Sequence, residues 1–150
     1  MKQLSKTQTS IFIFGAILMV VGAGLNMVGD LFVSGSLAMT LLLQKIGACF
    51  FMIGSLCFAT MQIMQGYTGD KLTVKRLRSI QVLGDIFFVL SGLLLMEKAF
   101  LFIYPLFTSS MDDQLFYARY IHNNWVVVLL VAAILEVYTT HRIAHEINKN

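Results

Sequence analysis

Residues 80–96 read IQVLGDIFFVLSGLLLM, and a stretch of this length and composition decides the fold. Similar apolar runs lie at residues 8–29, 46–64 and 125–140. The hydrocarbon core of a bilayer is about 30 Å thick, and a helix needs about 20 apolar residues to cross it. Because no water is present there, a crossing segment must satisfy its own backbone hydrogen bonds, as a helix does. The sequence therefore predicts an all-α membrane protein, a bundle of four transmembrane helices.

The chain, residues 1–150, is expected to form a single integral membrane domain. The predicted helices cover residues 8–29, 41–65, 79–98 and 124–146, and residues 99–123 form an outer segment in the membrane interface. Aromatic side chains crowd that segment, Tyr117 and the adjoining Trp125 among them, and such rings settle at the headgroup level. A short helix is predicted from about Asp112 to His122, with Ser109 or Ser110 as its N-cap.

Composition excludes several classes of protein. Hydrophobic residues make up 57% of the chain and charged residues 13%, whereas soluble domains carry about 25% charged residues. No basic face repeats along an element, so no nucleic acid is expected as a partner. Cys49 and Cys57 lie eight positions apart on one predicted helix, too far apart to form a disulfide. No cofactor or metal is expected, although His141 and His145 share a helical face that offers two ligands.

Lysine and arginine gather on alternate sides of the predicted helices. One side holds eight of them: Lys2, Lys6, Lys71, Lys75, Arg76, Arg78, Arg142 and Lys149. The other side holds three: Lys45, Lys98 and Arg119. Cytoplasmic loops carry the excess of positive charge, so both termini are expected in the cytoplasm. The predicted location is the cell membrane, or the inner membrane in a bacterium.

Small residues recur seven positions apart in three of the predicted helices. The pairs are Gly15 and Gly22, Gly47 and Gly54, and Gly84 and Ser91. Seven residues are nearly two helical turns, so each pair lies on one stripe of its helix. In lipid, helices associate through close backbone approach at small residues. We therefore expect these stripes to face the bundle interior, with phenylalanine and aliphatic side chains facing lipid.

Two acids, Asp85 and Glu136, lie within apolar runs. Their helices run in opposite directions, which places them roughly 8 and 9 Å from the same membrane edge at helical rise. The polar neighbours expected to join them are Gln62, Gln81, Thr140 and, at the interface, His141. Two carboxylates in a low dielectric cannot both stay ionised, which suits a proton relay or cation site. The alternative is that each acid is protonated, or pairs with Arg78, Arg142 or a nearby hydroxyl, and fastens helices together.

These features favour a non-enzymatic structural or accessory component of a membrane assembly. Its expected partners are the lipid bilayer and either a second copy of the chain or another membrane protein. An oligomeric proton- or cation-coupled transporter or channel that uses Asp85 and Glu136 is the alternative. A lipid enzyme using Glu136 and His141 is also open, although no serine, histidine and acid converge as in a hydrolase.

Overall fold

The computed structural model describes residues 5–31, 36–67 and 69–148. Its helices are α1 (Lys6–Leu31), α2 (Leu37–Met64), α3 (Leu72–Phe100), α4 (Met111–Tyr120) and α5 (Trp125–Asn148), with a 3-10 turn at Tyr104–Phe107. Four stretches of the described chain are long and apolar enough to cross a membrane: α1, α2, α3 and the segment Met111–Asn148 that contains α5. Those residues include no strand, and the predicted all-α bundle of four membrane helices is confirmed.

Each of the four membrane helices extends beyond at least one of its predicted bounds. α3 begins at Leu72 rather than at residue 79, and α2 begins at Leu37 rather than at residue 41. The predicted start of α3 marks the beginning of the apolar run. Lysine and arginine are good helix formers, so the helix continues through Lys75, Arg76 and Arg78.

Neighbouring helices pack in the order α1, α2, α3, α5. All three packed pairs are antiparallel, because two contacts in each pair run in opposite chain directions. These contacts are Gly15–Gly54 with Gly22–Gly47, Ser55–Gly92 with Phe58–Phe88, and Gly84–Leu135 with Ser91–Trp125. The first residues of α1 and the last of α5 therefore share one end of the bundle, with residues 65–67 and 69–71. We call this the termini end, and the opposite end, which holds residues 97–125, the loop end.

Glycines bring α1 and α2 into backbone contact. Gly15 faces Gly54 and Gly22 faces Gly47, the pairing that antiparallel helices produce from two spacings of seven. A Cβ at Gly22 would lie 2.5 Å from the carbonyl oxygen of Gly47, and one at Gly54 would lie 2.7 Å from that of Gly15. Nothing larger than glycine fits at these positions without moving a backbone.

The corresponding residues of α3 pack against α5 less tightly. A Cβ at Gly84 would lie 3.4 Å from the Cβ of Leu135, an ordinary contact. The hydroxyl of Ser91 donates a hydrogen bond of 2.8 Å to the backbone carbonyl of Trp125. All six residues of the predicted stripes are buried, but they serve two separate helix pairs.

The expectation that phenylalanines face lipid is wrong for the centre of the bundle. Phe51, Phe58 and Phe88 are 1, 9 and 7% exposed, and they form the core together with Trp125. These rings fill the space between two pairs of helices, α1 with α2 on one side and α3 with α5 on the other. Aliphatic side chains do cover the outside, and Val20, for example, is 74% exposed.

The segment between α3 and α5 forms a cap over the loop end. The short helix predicted there is present as α4, and the hydroxyl of Ser110, its N-cap, accepts a hydrogen bond from the backbone N–H of Asp113 at 3.1 Å. Most of the aromatic side chains in this region are exposed, as expected for an interfacial segment. Tyr117 and Trp125 depart from that expectation, since they are 4 and 1% exposed.

Candidate functional site

Three helices bring polar side chains together in the half of the bundle nearer the termini end. On α3, Arg78, Gln81 and Asp85 are spaced by three and four residues, so they project from one side of the helix. On α5, Glu136 and Thr140 are related by one turn. Because α3 and α5 are antiparallel neighbours, these two faces meet, and α2 adds Gln62 near its C-terminal end.

The Glu136 carboxylate is the centre of a hydrogen-bonded cluster. Its Oε1 accepts bonds from Gln62 Nε2 at 2.5 Å, from Gln81 Nε2 at 2.8 Å and from Thr140 Oγ1 at 3.1 Å. Gln81 Nε2 also lies 3.2 Å from the hydroxyl of Thr140. One carboxylate oxygen therefore joins α2, α3 and α5. We call Gln62, Arg78, Gln81, Glu136 and Thr140 the polar cluster.

Arg78 belongs to this cluster, and it is one of the two arginines that the sequence offers as partners for the buried acids. Its side chain is 8% exposed, and Nη1 donates a hydrogen bond of 2.5 Å to Gln81 Oε1. Within the described chain, Arg78 Nη2 and Glu136 Oε2 are buried atoms without a hydrogen-bond partner. Because α3 begins at Leu72, Arg78 and Gln81 lie one helical turn apart on the same side of that helix.

Asp85 lies apart from the hydrogen-bonded cluster. It is fully buried, and neither carboxylate oxygen has a hydrogen-bond partner among the described residues. It borders a separate hollow of about 360 Å³ between α2 and α3, whose other walls are apolar apart from Thr60. The two acids therefore line different hollows.

His141 does not join the polar cluster. It is exposed, as is His145 one turn further along α5. Among the residues that the structure describes, no group of three or more potential metal ligands occurs. The basic C-terminal part of α5 lies instead at the termini end, where Arg142 and Glu146 approach to 3.9 Å.

A crevice of about 290 Å³ opens between α1 and α5 beside the polar cluster. All five residues of the cluster line it, and its apolar walls include Phe12 of α1 and Ile147 of α5. The crevice therefore offers one cationic and one anionic side chain, with amides and a hydroxyl, next to hydrocarbon. Such a site can hold helices together, exchange a proton or bind a polar group.

No protein-family model, curated protein or solved structure matches this chain. The chemistry of the polar cluster and the shape of the bundle are therefore the basis for assigning a function.

Proposed function

We propose that this four-helix membrane protein is a non-enzymatic accessory component of a membrane assembly. The observation that supports it is the use of Glu136, whose carboxylate accepts hydrogen bonds from Gln62 of α2, Gln81 of α3 and Thr140 of α5. A carboxylate used in this way fastens three helices. The backbone contact between α1 and α2 adds rigidity, so the bundle is suited to present fixed apolar surfaces to a neighbour.

A proton- or cation-coupled transporter is the second candidate, and Asp85 favours it. A fully buried acid without hydrogen-bond partners among the described residues is costly in a membrane helix. Such acids commonly mark a proton or ion pathway. The transporter ranks second because Asp85 and Glu136 line separate hollows rather than one shared cavity.

Two experiments distinguish these functions. In the first, the wild type is cross-linked in its native membrane and extracted in mild detergent, and the mass of the extracted species is measured. The accessory role predicts a complex that contains a second polypeptide or a second copy, and it predicts no proton flux in proteoliposomes. A chain that is only a 16.8 kDa monomer both in the membrane and in detergent would contradict it.

The transport arm uses Asp85→Asn and Glu136→Gln, with Asp70→Asn at an exposed position as the matched control. A transporter loses proton-linked flux in the first two variants and keeps it in the control. An accessory protein keeps the mass of its complex in all three variants, because Gln at position 136 retains the oxygen that accepts from the other helices.

We further propose that the termini end faces the cytoplasm of a cell whose plasma or inner membrane holds the protein. This orientation is supported by six described basic residues at the termini end. They lie in α1, in α3 or just before it, and in α5: Lys6, Lys71, Lys75, Arg76, Arg78 and Arg142. The loop-end half carries Lys45, Lys98 and Arg119, so the positive-inside rule favours this orientation.

Thiol labelling tests the orientation in a background without Cys49 and Cys57. Met111→Cys, exposed at the loop end, should react with a membrane-impermeant reagent in intact cells. Thr73→Cys, exposed at the termini end, should react only after lysis. The reverse pattern would place the termini outside.

A further inference from the structure

The seam between α1 and α5 contains a second hollow, deeper in the bundle than the crevice. α1 and α5 are the outer members of the packing order and approach each other less closely than the three packed pairs do. The second hollow has a volume of about 270 Å³, and it is lined by Ala16, Met19 and Ala23 of α1, Leu129 of α5 and rings of the core. Its lining is entirely apolar. We call it the apolar groove.

The crevice and the apolar groove follow each other along the same faces of two helices. On α1, Phe12 lines the crevice, and the residues that line the groove begin one turn later. The rings of Phe12 and Phe58 stack at 4.5 Å between the two hollows. The seam is therefore polar toward the termini end and apolar toward the middle of the bundle.

The direction of the seam matches one leaflet of a bilayer. The apolar groove runs from Ala16 to Ala23, roughly 10 Å at 1.5 Å per residue, and one leaflet offers about 15 Å of hydrocarbon to it. The crevice begins at Ile147 near the termini end, where Lys71 and Arg142 mark the level of the headgroups. A lipid of that leaflet has its headgroup on this side and its chains directed toward the bilayer centre, as the seam requires.

The polar cluster indicates which headgroup fits. Arg78 offers a buried donor, Nη2, and Glu136 offers a buried acceptor, Oε2, neither with a partner in the described chain. A guanidinium pairs with a phosphate, and a carboxylate pairs with an ammonium group that carries N–H donors. A headgroup with only negative charge leaves the Glu136 carboxylate without a partner. A quaternary ammonium has no N–H to donate to that carboxylate, so a primary ammonium group fits best.

We propose that the α1–α5 seam binds one zwitterionic phospholipid with a primary ammonium group, its headgroup in the crevice and an acyl chain in the apolar groove. This site is independent of the accessory role, since a lipid can fill the seam whichever partner the protein has.

The test is to measure, by native mass spectrometry, how tightly the delipidated protein binds added lipids. The protein is titrated with phosphatidylethanolamine, phosphatidylcholine and phosphatidylglycerol that carry identical acyl chains. One bound phosphatidylethanolamine is expected, with an affinity about tenfold above that of the other two, the ratio that about 1.4 kcal/mol of headgroup interaction produces. Equal retention of the three lipids overturns the proposal. A dimer that binds no lipid would also overturn the proposal, because a second copy of the chain would then close the seam.

Two variants separate headgroup from chain. Glu136→Gln keeps the oxygen that ties the helices together and should remove the preference for phosphatidylethanolamine over phosphatidylcholine. Ala16→Leu fills the apolar groove and should lower retention of all three lipids about tenfold. Ala38→Leu, exposed at the start of α2, is the matched control and should bind as the wild type does. If neither Glu136→Gln nor Ala16→Leu differs from the control, the lipid is not in this seam.

Discussion

Replacing Gly22 with alanine is expected to lower the free energy of unfolding by about 3 kcal/mol, at the upper end of the usual cost of overpacking. The added Cβ would lie 2.5 Å from both the carbonyl oxygen of Gly47 and the backbone nitrogen of Phe51. No side-chain rotation can relieve a contact with backbone, so α1 must move away from α2. That movement also separates the second glycine pair, Gly15 and Gly54, which belongs to the same contact.

Gly24→Ala is the matched control, two residues further along α1. No atom outside its own helix lies within 4 Å of a Cβ built there. Alanine in a helix interior is favoured over glycine by about 0.5–1 kcal/mol, so this variant should be as stable as the wild type or slightly more stable. Reversible unfolding by SDS in mixed micelles, followed by circular dichroism, measures both. If Gly22→Ala and Gly24→Ala lower the free energy of unfolding equally, the α1–α2 contact does not hold the helices together.

This contact could be predicted from the sequence because it depends only on helical periodicity. A spacing of seven places Gly15 and Gly22 on one stripe of α1, and the same spacing places Gly47 and Gly54 on one stripe of α2. Two consecutive membrane helices are antiparallel, so the stripes meet in reverse order, as the structure has them. What the periodicity did not reveal is that the α3 stripe serves a different partner, α5.

The polar cluster could be predicted only in part. Depth along antiparallel helices brings Glu136, Gln81 and Thr140 to one level, and side chains at one level can meet. The position of Asp85 depends on the rotation of α3 about its own axis. Asp85 follows Gln81 by four residues, which offsets its side chain by about 40° around α3 and about 6 Å along it, and hydropathy does not show which hollow each side chain reaches. Asp85 therefore borders the α2–α3 hollow instead.

Glu97 lies near the end of α3, next to Lys98, where the sequence alone indicates only the edge of the membrane. Its side chain is fully buried, and its carboxylate accepts hydrogen bonds from three groups of the cap. The donors are the backbone N–H of Ile103 at 2.7 Å, that of Tyr104 at 3.1 Å and the hydroxyl of Tyr117 at 2.7 Å. Two of them come within reach because the chain reverses at Leu101, which has a left-handed φ of 53°. A reversal without glycine leaves no signal in the sequence.

Glu97→Ala is accordingly expected to destabilise the protein by about 3–5 kcal/mol. A buried donor left without an acceptor costs about 1–3 kcal/mol, and the backbone N–H groups of Ile103 and Tyr104, which are only partly buried, add to the loss at the buried Tyr117 hydroxyl. Tyr117→Phe removes a single one of these bonds and should cost about 1 kcal/mol. Asp112→Ala, at an exposed acid in the same segment, is the control and should change the stability by less than about 0.5 kcal/mol.

Hydrogen exchange locates the effect. In Glu97→Ala the backbone amides of residues 101–121 should lose protection while those of α1 and α2 keep it, because the carboxylate connects α3 to the cap and not to the glycine-paired helices. Loss of protection throughout the bundle would mean that Glu97 supports the membrane helices themselves. A variant as stable as Asp112→Ala would mean that the cap is held by its aromatic contacts, such as the packing of Tyr104 on Tyr117 at 5.1 Å, and not by the carboxylate.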